Sequence, residues 1–241
     1  MNRYLLKQCL HVSSPIFFGY IAIGIPFGLM IVNAGYPWWM SLVMSITMYA
    51  GAGQYVAVGL FTSGASLQEV FITELFVNIR HIVYGLSLIT KFKDCGKWKP
   101  YLIFALTDET YALLTSIEAP ANVNKGTFYG LIALLDQLYW ILGTLIGAVA
   151  CNILIHYNLM QYLTGIDFAL TALFVVILME QIQKSKDFVP PLIGLLTGTA
   201  AIALNKVGIL PSSNIILAAI VFAIAAIVMV RAKSFYKGEQ K

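Results

Sequence analysis

Apolar runs of membrane-crossing length, parted by short polar interruptions, occupy nearly the whole chain. The runs cover residues 15–34, 38–61, 67–90, 100–119, 128–154, 165–179, 189–204 and 210–230. A hydrocarbon core of roughly 30 Å is crossed by about 20 helical residues rising about 1.5 Å each. The pattern therefore predicts an all-α, polytopic membrane bundle of about seven or eight transmembrane helices. The longest polar interruptions, 91–99 and 183–188, are only loop-sized. No soluble domain is left over, and residues 1–241 are expected to form a single integral membrane domain.

Polar groups inside such runs are costly, so the positions that carry them are the first candidates for function. The third run contains TELFVNIRHIVY at 73–84, with Glu74, Asn78, Arg80 and His81 within two helical turns. On one helix, Glu74, Asn78, His81 and Gly85 share a stripe, while Arg80 points elsewhere beside Phe76 and Tyr84. The fourth run holds Asp108 and Glu109. A hairpin turning near Asp94 and Cys95 places these acids at about the depth of Arg80, so Arg80 is expected to pair with Asp108 or Glu109. Two adjacent carboxylates in a low dielectric do not both ionise easily, which opens a proton-coupling role for the acid left over. A static ion pair is the plainer alternative.

Other interruptions fall in the first two runs. Pro26 sits between Gly24 and Gly28 in GIPFG, and proline removes a backbone donor. Either the helix breaks there and lines a substrate path, or it carries an ordinary kink packed on its neighbours. In YAGAGQY at 49–55, the small residues allow close helix approach, and Gln54 is either interhelical glue or a ligand contact. Gly143 and Gly147 of the fifth run form a packing face. Asp136 reads as lying near the membrane interface, and Asp167 as a first-turn partner of a helix dipole.

Composition sharpens the class. The chain is 59% hydrophobic and 11% charged, with mean hydropathy +0.82, against about 25% charged in a typical soluble domain. The net charge of +4 comes from Lys and Arg in loops and tails, so it speaks for membrane topology and not for nucleic acid. Eight complete spans with both ends in the cytoplasm would put the lysine-rich loop 91–99 outside, against the positive-inside rule. A broken or re-entrant early helix would relieve that conflict. Three scattered cysteines imply no disulfide framework and no metal-ligand spacing. The first run lacks a cleavage-site pattern and is expected to be retained. No cofactor motif occurs, and the absence of a Walker-type loop argues against ATP as a direct energy source.

GIPFG at 24–28, YAGAGQY at 49–55, NIRHIVYGLSL at 78–88, TDETYALL at 107–114 and GIDFALTALF at 165–174 occur here in one order. Together with the G-T-x-x-G of the fifth run, this ordered set resembles the AzlC family, the large subunit of bacterial branched-chain amino acid exporters. The resemblance implies multi-pass residence in the bacterial inner (plasma) membrane and export of branched-chain or other hydrophobic amino acids. It also implies a small AzlD-type membrane subunit as partner. The physical reading places the substrate path among Gly24, Pro26, Gly28, Gln54, Asn78, His81, Asp108 and Glu109. Drive by a proton or ion gradient is expected. The alternative is an intramembrane enzyme using His81 with a nearby carboxylate, although no HExxH or GxSxG motif supports it.

Overall fold

The structure is a computed structural model that describes residues 3–159, 161, 168–211 and 214–238. Among these residues the regular structure is helical: α1 (Arg3–Asn33), α2 (Trp38–Thr47), α3 (Gly51–Thr62), α4 (Leu67–Asn78), α5 (Arg80–Ser87), α6 (Lys99–Phe104), α7 (Asp108–Ser116), α8 (Lys125–His156), α9 (Phe168–Ser185), α10 (Val189–Lys206) and α11 (Ile215–Gly238). Two of them, α1 and α8, are long and apolar enough to cross a membrane, at 31 and 32 residues with hydropathy 2.0. The other apolar runs appear as shorter or interrupted helices. Asp167 lies outside the described residues.

The helices divide into two compact units. One comprises Met1–Val58 and Asn78–Leu170; the other comprises Gly59–Val77 and Thr171–Lys241. In the second unit α10 packs along α11. The first unit is built on α1 and α8, which run parallel in close contact.

Glycine makes that contact. A Cβ on Gly28 would fall 2.1 Å from the Thr144 carbonyl oxygen, and one on Gly147 would fall 2.0 Å from that of Ile25. Gly24 and Gly143 meet each other at the crossing. The contact is self-complementary, because Gly28 against Thr144 repeats as Gly147 against Ile25 when the sequence is shifted by 119 residues, the separation that also joins Cys9 to Phe128. Backbones this close maximise dispersion contact, which drives helix association where lipid competes equally for apolar side chains.

Of the two readings of Pro26, a break or a packed kink, the structure has no break, since α1 continues through both Pro15 and Pro26. Each proline removes an amide donor; at Pro15 a hydroxyl takes the freed carbonyl, and near Pro26 another bonds the carbonyl next to the freed one. Ser14 Oγ donates to the His11 carbonyl at 2.8 Å, and Tyr55 OH donates to the Ile23 carbonyl at 2.6 Å. The interruption lies instead in the second run. There Tyr49 takes a left-handed φ of 43° between α2 and α3, a conformation costly for a bulky residue. The fourth run is interrupted at Ala105–Thr107, where Thr107 caps α7 by accepting from the Thr110 amide at 3.2 Å. The stripe drawn on the third run is also divided. Glu74 belongs to one unit, whereas Asn78, His81 and Gly85 belong to the other.

Substituting Gly28 or Gly147 by alanine is expected to destabilise the protein by about 1–3 kcal/mol, the usual cost of overpacking a filled interface. Thermal unfolding in detergent measures the loss. Gly59, with nothing within 4 Å of its would-be Cβ, is the matched control, and Gly59→Ala should be neutral or slightly stabilising. Equal behaviour of all three variants would show that the glycine crossing contributes no stability.

Candidate functional site

One face of α8 carries the polar side chains that the two interrupted helices need. Asp136, Trp140 and Thr144 recur at one-turn spacing, and Gln137 stands beside Asp136. Gln137 donates through Nε2 to the carbonyl of Ile46 in the last turn of α2, at 3.1 Å, and accepts from Tyr101 OH of α6 at 2.7 Å. Trp140 Nε1 donates to Gln54 Oε1 at 2.8 Å. Gln54 Nε2 then donates to Ser45 at 3.2 Å, and Ser45 to Thr144 at 3.1 Å. Gln54 is thus fully buried with both ends of its amide engaged, the interhelical role of the two foreseen for it.

Asp108 and Glu109 open α7, where carboxylates suit the positive end of the helix dipole. Successive helical residues point about 100° apart, so the two acids part company. Asp108 turns to α5. Its Oδ2 lies 2.8 Å from Nη1 of Arg80, and its Oδ1 accepts from Tyr84 OH at 2.5 Å. The Tyr84 ring stacks on Tyr111 at 4.3 Å, which ties α5 to α7. The Arg80 and Asp108 side chains are 28% and 31% exposed, so the pair is half-buried. Glu109 turns to α1, where its Oε2 accepts from Tyr20 OH at 3.1 Å.

A second carboxylate lies behind this one. Asp136 is fully buried and accepts through Oδ2 from Thr110 Oγ1 at 2.9 Å, while its Oδ1 has no partner. Thr110 is in turn joined to Thr107 at 3.1 Å, and Thr107 to Tyr20. Rings enclose the cluster. Tyr20 meets Tyr49 and Trp140 edge-on at 6.5 and 5.5 Å, and Tyr49 lies 6.5 Å from Phe104. Asp136 is therefore part of the protein interior. That place in the cluster was not read from the sequence, and its signal was the shared spacing with Trp140 and Thr144.

The remaining candidates are dispersed. Gly24 and Gly28 are filled by the α8 backbone, and Pro26 sits in continuous helix. Asn78 ends α4 and accepts through its carbonyl from His81 Nδ1 at 3.0 Å. The His81 ring packs edge-on against Tyr84 at 5.8 Å. The polar contact that His81 makes is thus to backbone, not to a carboxylate. Tyr20, Tyr49, Thr107 and Thr110 join the cluster without having been singled out by sequence. Outside it, Lys91 Nζ meets the Ile117 carbonyl at 2.5 Å and Glu118 at 3.0 Å. Those contacts hold the exposed Glu118 carboxyl below its ordinary range.

A family model described as AzlC protein matches residues 15–154, more than half of the chain. The chain belongs to the AzlC family. The AzlC match takes in α8, both interrupted helices and every member of the polar cluster. Relatives extend it further. "Branched-chain amino acid transport protein AzlC" of Bacillus subtilis is 35% identical over 190 residues, covering 79% of this chain and 73% of that protein. An "Uncharacterized membrane protein" of Helicobacter pylori strain J99 is 36% identical over 217 residues, 90% of each chain. "Inner membrane protein YgaZ" of Escherichia coli is 31% identical over 193 residues, covering 77% and 78%. No solved structure matches. The family and these names point to a membrane transport protein and not to an enzyme.

Removing Arg80 would leave Asp108 half-buried without its cation. Breaking a fully buried pair costs about 3–5 kcal/mol; at this exposure, Arg80→Ala is expected to cost nearer 1–2 kcal/mol. Neutralising the orphaned acid should restore part of that loss. In thermal unfolding, R80A/D108N should therefore be more stable than R80A, whereas R80A/E109Q should not. The reverse order would assign the pair to Glu109.

Proposed function

We propose that this protein is the large subunit of a secondary active exporter of branched-chain or other hydrophobic amino acids. It would be driven by a proton or ion gradient and work with a small AzlD-type membrane subunit in the bacterial inner membrane. The observation that carries this reading is the meeting of two interrupted helices over a polar cluster whose innermost acid, Asp136, is fully buried. Unwound backbone at membrane depth is tolerated where it is buried in protein or lines a cavity, and discontinuous helices are how many transporters build substrate sites. The similarity to the Bacillus subtilis transport protein supports the substrate class.

A zwitterionic amino acid needs donors for its carboxylate and an acceptor for its ammonium. The first turn of α3, at Gly51, Ala52 and Gly53, has amide groups without intrahelical partners, and no acidic residue competes for them. In this reading those amides take the carboxylate, replacing the glycines of α1 that packing has claimed. Glu109 takes the ammonium, because Asp108 is already neutralised by Arg80. Tyr20 links the two positions, since it bonds Glu109 and touches Tyr49, two residues ahead of α3. The rings of Tyr49 and Phe104 then offer apolar surface to a branched side chain.

Cells lacking their own leucine exporters, loaded with leucine- or methionine-containing dipeptides, are the direct test. Efflux of the released amino acid should rise when this chain is expressed with its small subunit, and Glu109→Gln should reduce it. A proton-gradient uncoupler should lower efflux if protons drive it. Unchanged efflux for every hydrophobic amino acid tried would refute the reading.

A further inference from the structure

The polar cluster contains more carboxylate than its cations balance. Among the described residues the ion pairs are Arg80–Asp108 and Lys91–Glu118, so neither Glu109 nor Asp136 has a Lys or Arg partner. These two acids are nevertheless connected. Glu109 Oε2 bonds Tyr20 OH at 3.1 Å, Tyr20 bonds Thr107, Thr107 bonds Thr110 at 3.1 Å, and Thr110 bonds Asp136 Oδ2 at 2.9 Å. The two ends differ in access, because Glu109 reaches the protein surface whereas Asp136 is 0% exposed.

Proton counting makes this chain unusual. It has four links but only three hydroxyl protons, those of Tyr20, Thr107 and Thr110. With both acids ionised, one link always lacks a proton, which is costly for buried groups. One added proton fills every link, and it has two homes. With Glu109 protonated, each member donates toward Asp136; with Asp136 protonated, each donates toward Glu109. Passing between the states, Glu109 gives its proton to Tyr20, Tyr20 to Thr107, Thr107 to Thr110 and Thr110 to Asp136. Each O–H bond broken is matched by one formed. The net result is one proton moved inward and one negative charge moved outward.

We propose that the Glu109–Tyr20–Thr107–Thr110–Asp136 chain is a proton relay, and that the proton it delivers to Asp136 is the ion coupled to amino-acid transport. This deepens the exporter reading and rests on it, by naming the coupling ion and the acid that holds it. The groups facing Asp136 fit the assignment. They are Tyr20 from α1, Tyr49 from the α2–α3 link, Tyr101 from α6 and Glu109 from α7, with no lysine or arginine among them. The Arg80 guanidinium is held by Asp108. Asp136 Oδ2, the oxygen bonded to Thr110, is the atom to which the relay delivers its proton.

The test uses the full chain, with its small subunit, in proteoliposomes enclosing a pH-sensitive dye. An imposed leucine gradient should move protons in the wild type. Asp136→Asn removes the acceptor, and Thr110→Val cuts the relay while keeping both acids and the side-chain shape. Both variants should lose leucine-driven proton movement to the level of protein-free vesicles. Both should keep counterflow of labelled leucine, a readout that a merely structural defect would abolish. Thr115→Val, whose hydroxyl bonds only carbonyls within α7, should behave as wild type in both assays. If Asp136→Asn does not fold, Thr110→Val decides. Proton movement at the wild-type ratio in a variant that still exchanges leucine would overturn the relay. So would wild-type leucine flux that follows sodium without any proton signal. Absence of both flux and counterflow in the wild type, for every hydrophobic amino acid, would instead sink the exporter reading on which the relay rests.

Discussion

Two parallel helices brought to backbone contact set the terms for the first unit. Lipid offers apolar side chains as good an environment as protein does, so a membrane helix pair must gain its stability from close packing and internal polar contacts. The α1–α8 crossing draws on packing, with Gly24, Gly28, Gly143 and Gly147 removing the side chains that would hold the backbones apart. On that same face of α8, Asp136 and Trp140 continue the stripe of Gly143 and Gly147 at spacings of four, three and four, and Gln137 and Thr144 flank it. There they meet α2, α3, α6 and α7. One long helix thus carries its glycine seam and its polar spine along one side.

The interrupted helices follow from that spine. A helix broken at membrane depth exposes carbonyls at one end and amides at the other, and lipid can satisfy neither. Gln137 takes up a carbonyl at the end of α2, Thr107 caps α7, and Trp140 orders Gln54 in the first turn of α3. The first-turn amides of α3 are the part of this arrangement that a ligand is best placed to answer. The positive φ at Tyr49 marks the same place as strained.

Much of this was legible from apolar run lengths and from the cost of charge in lipid. Those two rules locate the runs that became helices, and they single out Arg80 and the acids of the fourth run. Other features were hidden for identifiable reasons. Pro26 could be read as a helix breaker or as a packed kink, and α1 continues through it, with Tyr55 of another run bonding the neighbouring Ile23 carbonyl. The actual break falls at Tyr49, whose left-handed backbone no residue-type rule anticipates. Asp136 looked peripheral because depth was judged from its distance to the end of its run. Its spacing with Trp140 and Thr144, which was available, is what places it on the polar face of α8. Thr107 and Thr110 carry no charge, and a threonine pair gains meaning only when two acids are found at its ends.

The adjacency of Asp108 and Glu109 shows how neighbouring acids acquire different roles. Side by side in sequence, they leave α7 in directions about 100° apart and meet different helices. Asp108 finds a guanidinium on α5 and becomes a fixed counter-charge that binds one hairpin. Glu109 finds a phenol on α1, and behind that phenol lies a chain of hydroxyls ending at another acid. An ion pair holds its charge constant, whereas a carboxylate bonded to a hydroxyl can gain or lose a proton without breaking the contact. In the proposed relay, the α7 start separates a static charge from a mobile one within a single helical turn. Arg80 contributes by occupying Asp108, which leaves Glu109 as the acid of the pair that is free to exchange a proton or receive an ammonium group.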